Sequence, residues 1–146
     1  MSVAKSVVAW LASLWIAYIF LWYLQFKFTG HPGSVDLFTT LTDWLGFHGY
    51  EKVMRIGTGS CELICSAVIL YPRTQGLGGL GAVAIMTGAI FFHLASPLGT
   101  DPYNDGGVLF KEACSVWLCG WIVAAIRYRQ LRDLAAYFHI LPARAA

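Results

Sequence analysis

Charge is what this sequence has least of. Lys, Arg, Asp and Glu make up 12% of its 146 residues, about half the roughly 25% of an ordinary soluble domain. Hydrophobic residues make up 58%, so an ordinary water-exposed surface is excluded. The net charge of +2 is scattered, and no Lys/Arg run is interleaved with aromatics, which excludes nucleic acid as a partner. No CxxC, HxxxH or ExxH pair occurs, and His31, His48, His93 and His139 fall in separate segments. A metal site is therefore not expected. No flavin, haem or nicotinamide motif is present, and the period-2 alternation of a membrane barrel is missing.

What the chain does have is four apolar stretches, at about Val7–Phe26, Val53–Tyr71, Leu77–Pro97 and Val108–Ile126. Each approaches the ~20 residues that a helix needs to cross hydrocarbon. The first is longer than the roughly 7–15-residue core of a secretory signal, and it ends in Gln25-Phe26-Lys27 without a small-residue cleavage site. It is expected to stay as a helix. The fold expected is an all-α integral membrane four-helix bundle, one domain over 1–146, with a C-tail over 127–146.

The connections refine this picture. Pro72-Arg73-Thr74-Gln75-Gly76 is short enough to make an antiparallel hairpin of the second and third spans. The first loop is long enough for a small helix: Ser34 is a suitable N-cap, Val35, Phe38, Leu41 and Leu45 keep helical spacing, and Gly46 ends it. Asp36, Thr40 and Asp43 fall on its other face, as in an interfacial helix lying on the outer surface. The third loop, Gly99 to Gly107, is dense in turn formers.

Lys5, Arg73, Arg127, Arg129, Arg132 and Arg144 flank one side of these spans, against Lys27, Lys52, Arg55 and Lys111 on the other. The bias places both termini in the cytoplasm. The ionisable groups within the spans then gather in the outer half. Lys27 closes helix one, Arg55 and Glu62 share a stripe of helix two with Gly59 and Ser66, His93 lies near the end of helix three, and Lys111 and Glu112 open helix four. Glu62 sits roughly 13 Å along its helix from Val53, near mid-membrane. A charge facing lipid at that depth costs several kcal/mol, so these groups should turn inward and pair around a polar pocket. Glu62 lies about 10 Å from Arg55, and its nearer partner is His93, Lys111 or Lys27. Gly78, Gly81, Ala82, Gly88 and Ala89 on helix three permit close backbone approach. Snorkelling to headgroups is the competing reading for Lys27, Arg55 and Lys111, and a bond to a backbone carbonyl is the competing one for His93. Cys61, Cys65, Cys114 and Cys119 read as structural thiols, with a Cys61–Cys114 bridge geometrically open.

At these residues the chain resembles the DoxX family of small bacterial four-helix membrane proteins. The similarity lies in Gln25-Phe26-Lys27-Phe28-Thr29-Gly30, Arg55-Ile56-Gly57 followed by Glu62-Leu63, Pro72-Arg73-Thr74, Gly88-Ala89-Ile90 with His93-Leu94, and the start of helix four. It covers about residues 10 to 130. The tail Arg127-Tyr128-Arg129-Gln130-Leu131-Arg132-Asp133 departs from the family's usual ending. The resemblance implies a place in the bacterial cytoplasmic membrane and quinone-linked redox work, the family including thiosulfate:quinone oxidoreductase subunits. On that reading Glu62 and His93 handle protons, and Gln25, Lys27, Arg55, Lys111 and Glu112 hold the ligand. Quinone is the expected cofactor, with membrane lipids and a partner redox protein or a second copy as partners. The alternative is a non-catalytic membrane subunit or scaffold whose polar cluster docks a partner protein. A flat apolar cavity beside Glu62 would favour the first reading, and close packing there the second.

The orientation is open to direct test. Cysteines introduced at Ser34 and Asp105 are expected to react with an impermeant maleimide from outside, and one at Arg73 only after permeabilisation. The reverse pattern overturns the assignment of sides.

Overall fold

The structure, a computed structural model, describes residues 2–137. His139 and Arg144, both used above, lie outside the described residues. The elements are α1 (Val3–Thr29), α2 (Pro32–Trp44), α3 (Glu51–Leu70), α4 (Gln75–Ala95), α5 (Val108–Ile126) and α6 (Tyr128–Tyr137), with no strand among the described residues. Helices α1, α3, α4 and α5 are long and apolar enough to cross a membrane. They form a ring in which α1 packs on α3 and α5, and α4 packs on the same two. Seams α1–α5 and α3–α4 are therefore opposite each other.

Local chemistry sets the ends. Ser2 caps α1, its hydroxyl accepting from the Lys5 N–H at 3.4 Å. At the other end Gly30 takes a left-handed φ of 71° and donates to the Phe26 carbonyl, a stop that glycine makes without Cβ strain. The chain turns at once into α2, but Ser34 is not its N-cap. His31 holds that place, its Nδ1 accepting from the Gly33 N–H at 3.3 Å, and Pro32 follows where a missing N–H costs nothing.

Helix α2 also lies differently from expectation. Ser34, Phe38, Leu41 and Thr42 are buried, while Asp36 and Asp43 are exposed, so the helix roofs one end of the bundle and does not merely rest beside it. The labelling site on this helix is accordingly Asp36 and not the buried Ser34. The C-tail forms a further helix, α6, as far as Tyr137. Gln130 ties it to the α3–α4 turn, its Oε1 accepting from the Gly76 N–H at 2.9 Å and its Nε2 donating to the Pro72 carbonyl at 2.7 Å. Just before α6, Arg127 donates from Nε to Oε1 of the buried Gln75 at 2.7 Å.

The core is Ile16, Phe20, Ile69, Val116 and Val123, yet the polarity of the bundle is inverted. Arg55, Glu62, Ser66, Gln75 and His93 are buried, whereas Leu11, Ile64, Leu94 and Leu118 face outward. Backbone-to-backbone approach between the spanning-length helices at glycine is found at the end away from α2. A Cβ on Gly78 would stand 2.5 Å from the Ile69 Cα, and one on Gly79 would stand 2.8 Å from the Gly120 carbonyl oxygen. Gly57 and Gly88, nearer α2, have nothing within 4 Å of that position. Gly78→Ala is therefore expected to destabilise by about 1–3 kcal/mol through overpacking, and Gly57→Ala to leave stability unchanged or slightly raised. Thermal unfolding in detergent distinguishes them, and equal midpoints would contradict the packing described.

Candidate functional site

Beneath α2 lies a cavity of about 670 Å³ whose walls are mostly apolar, among them Phe20, Phe38, Leu41 and Met86. Its size falls in the about 300–1,000 Å³ range of sites that enclose a small organic ligand. Lys27, Glu62, His93 and Glu112 also line it, together with Tyr23, His31, Ser34 and Tyr103.

The side wall at seam α1–α3 is closed by an ion pair. Lys27 Nζ donates to both carboxylate oxygens of Glu62, at 2.7 and 3.0 Å, with the two side chains 12% and 5% exposed. Of the three partners open to Glu62 in the sequence, Lys27 is the one the fold supplies. Gly59 makes room for it: a Cβ there would lie 2.9 Å from the Phe28 ring and 3.5 Å from the Lys27 side chain. Ser66 continues the same buried stripe and back-bonds to the Glu62 carbonyl at 2.8 Å.

At seam α1–α5 the Tyr23 hydroxyl donates to Glu112 Oε2 at 2.6 Å. Among the described residues no basic side chain pairs with Glu112. At seam α4–α5 His93 packs edge-on to Phe110, the ring centroids 5.5 Å apart. Its Nδ1 donates to the Gly99 carbonyl at 2.6 Å, which leaves Nε2 as the acceptor in the neutral ring. His93 thus makes the backbone bond and lines the cavity as well.

Three expected ligand-binding residues are placed elsewhere. Arg55 is buried but does not line the cavity: Nε donates to Glu51 Oε2 at 2.9 Å, and the guanidinium also donates to the Lys27 carbonyl. That carbonyl belongs to the last turn of α1, where the helix leaves acceptors unsatisfied and favours a cation. Gly30 lies against the same guanidinium. Lys111 is exposed and off the cavity wall. Gln25 is exposed too, its amide donating to the Trp22 carbonyl at 3.1 Å. The charge balance changes accordingly. Weighing Lys27, Arg55 and Lys111 against Glu62 and Glu112 leaves a surplus cation, but the cavity wall itself carries one lysine and two carboxylates.

Glu51 and Tyr23 were missed in the sequence, though each stands four residues before a residue it serves, Arg55 and Lys27, on the same helical face. The roof is pinned by Tyr103, whose hydroxyl donates to the Gly33 carbonyl at 3.0 Å. Burial pushes the Tyr103 phenol up, and Asp36 and Asp105 add to the shift, so it stays a neutral donor. All four cysteines are free thiols, and no Cys61–Cys114 bridge is formed. Among the described residues no cluster could hold a metal ion.

No family model, curated protein or solved structure matches the chain, so its function is read from this cavity. The buried pair is the element to test first. Glu62→Leu alone strands the Lys27 ammonium and is expected to cost about 3–5 kcal/mol, whereas Lys27→Leu with Glu62→Leu restores much of the loss. A thermal double-mutant cycle reads the coupling, and strictly additive losses would mean the two charges do not depend on each other.

Proposed function

We propose that this chain is a multi-pass protein of the bacterial cytoplasmic membrane, similar to the DoxX proteins, that binds a quinone in the cavity beneath α2 as a subunit of a membrane redox system. The termini are cytoplasmic and α2 lies at the outer face. The observation that carries the reading is the apolar cavity beside Glu62, in the place where a purely structural network would be close-packed. The inverted polarity of the bundle supports membrane insertion, since buried charges and outward leucines suit a hydrocarbon solvent.

A quinone supplies two-electron, two-proton chemistry, and the electrons come from a partner redox protein because this chain has no redox motif of its own. The chain's part is to bind, orient and handle protons. Lys27 and Tyr23 are hydrogen-bond donors one helical turn apart on α1, suited to a ring oxygen. Each is already bonded to a carboxylate, Glu62 or Glu112, through which a proton can be replaced after transfer. His93 offers Nε2 as a further acceptor. The charge balance turns the reading away from a small anion. Lys27 is neutralised by Glu62, Arg55 is held by Glu51, and Glu112 would repel thiosulfate or sulfite.

Thermal shift on the detergent-solubilised protein tests this. Decylubiquinone and a short-chain menaquinone are expected to raise the melting temperature, by an amount equivalent to about 2.7 kcal/mol at a hundredfold excess over Kd. Thiosulfate and sulfite are expected to leave it unchanged. Tyr23→Phe should keep the fold and weaken the quinone shift. A protein that answers to none of the quinones, or to thiosulfate instead, refutes the proposal and returns the cavity to the partner-docking reading.

A further inference from the structure

The cavity has three closed walls and one open one. The walls at α1–α3, α1–α5 and α4–α5 are each bridged at cavity level, by Lys27–Glu62, Tyr23–Glu112 and His93–Phe110. The roof is tied down at both ends of α2, by Tyr103 to the Gly33 carbonyl and by Trp44 against Phe91 and Phe92, with centroids 6.2 and 6.1 Å apart. The fourth seam, α3–α4, behaves otherwise. It is shut at the end away from α2, where Cys65 Sγ donates to the Gly78 carbonyl at 3.3 Å and lies 3.2 Å from the Cβ position of Gly81. From there toward α2, no hydrogen bond, ion pair or ring contact joins α3 to α4 among the described residues.

The residues along that stretch are small or flexible. Thr58 and Cys61 stand on α3, opposite Ala84, Ile85 and Gly88 on α4, and all five line the cavity. Cys61 and Ala84 are nevertheless exposed, and a Cβ on Gly88 would meet nothing within 4 Å. Exposed side chains on a cavity wall that no contact bridges are where an opening in that wall would lie. Cys61 comes ten residues after the first residue of α3, about 15 Å along the helix at roughly 1.5 Å per residue. The opening is thus near mid-span, bounded on one side by Cys65–Gly81 and on the other by the Trp44–Phe92 contact.

We propose that this slot between α3 and α4 is the seat of a long apolar tail, so that the cavity's ligand is an amphiphile whose head lies inside and whose isoprenoid or acyl chain passes out into the bilayer. The inference rests on the membrane reading above and narrows its ligand class. Seam α1–α5 stands opposite the slot, so the Tyr23–Glu112 pair forms the back wall facing the tail's exit. Lys27 and His93 flank the head from the two side walls. A ligand without a tail leaves the slot to lipid chains and gives up the packing contacts that a tail makes there.

Cys61 is a native reporter of the slot. The full chain in phospholipid nanodiscs is alkylated with N-ethylmaleimide, and the Cys61 peptide is followed by mass spectrometry. Decylubiquinone at saturation is expected to slow modification of Cys61 at least tenfold, and ubiquinone-0, which has the same head without the tail, less than twofold at equal occupancy. Gly88→Leu, and independently Ala84→Phe, should lower the ratio of decylubiquinone to ubiquinone-0 affinity at least tenfold by filling the slot. If both quinones bind but protect Cys61 equally, or if both variants leave the ratio unchanged, the slot proposal fails while the quinone reading stands. If neither quinone binds but diacylglycerol of matching chain length protects Cys61, the slot stands and the quinone reading fails. Absence of protection by every tailed probe overturns the slot.

Discussion

A lysine and a glutamate bonded across the α1–α3 seam hold the polar half of this bundle in place. Buried in the bundle, neither charge has water to fall back on, and each is tolerated only because the other is within hydrogen-bond distance. The pairing sets the register of α1 against α3, since a shift of one turn would carry Lys27 about 5.4 Å from its carboxylate. Gly59 follows from it, because a side chain there would collide with Phe28 beside the lysine stem. Arg55 follows as well: with α1 held at this height, its guanidinium meets the open carbonyls of the last turn of α1 and the Glu51 carboxylate.

The same seam helps to explain why a cavity exists. Glycines bring helix backbones together at the end away from α2, where Gly78 lies on Ile69 and Gly79 lies on Gly120. Toward α2 the helices carry lysine, glutamate, tyrosine and histidine, which line the cavity. The bundle is close-packed at one end and holds the cavity at the other, and α2 covers that end with Phe38 and Leu41 on the cavity wall. The proposed quinone site and tail slot both rest on this geometry, the first on the polar groups that line the cavity and the second on the one seam they do not bridge.

Much of the fold was legible in the residues. Four runs of about twenty apolar residues became the four helices long and apolar enough to cross a membrane, the short Pro72–Gly76 turn forces a hairpin, and the seven-residue spacing of Arg55 and Glu62 puts both on the buried stripe of α3, where they are found. The helix in the first loop was legible from its spacing, but its cap was not. Ser34 is the better N-cap by residue type, yet Gly30 stops α1 so early that His31 and Pro32 are already in position to start α2. The α6 clamp was hidden, because Gln75 and Gln130 belong to no hydrophobic pattern and acquire meaning only when the α3–α4 turn and the tail are side by side.

For the site, the sequence by itself determined which apolar helices carry ionisable groups: Lys27, Arg55, Glu62, His93, Lys111 and Glu112 stand on them, and a period of 3.6 residues puts each on a definite face, although Lys111 did not turn inward as expected. Only the tertiary structure decided who meets whom. It gave Lys27 to Glu62 and Tyr23 to Glu112, made Arg55 a helix cap, left Lys111 and Gln25 outside, and left the seam beside Cys61 unbridged. The reason is physical. A helix's own periodicity encodes the direction of each side chain, but the rotation and separation of neighbouring helices are set by packing summed over residues far apart in the chain, such as Gly79 and Gly120, and on those two quantities every partner and every gap depends.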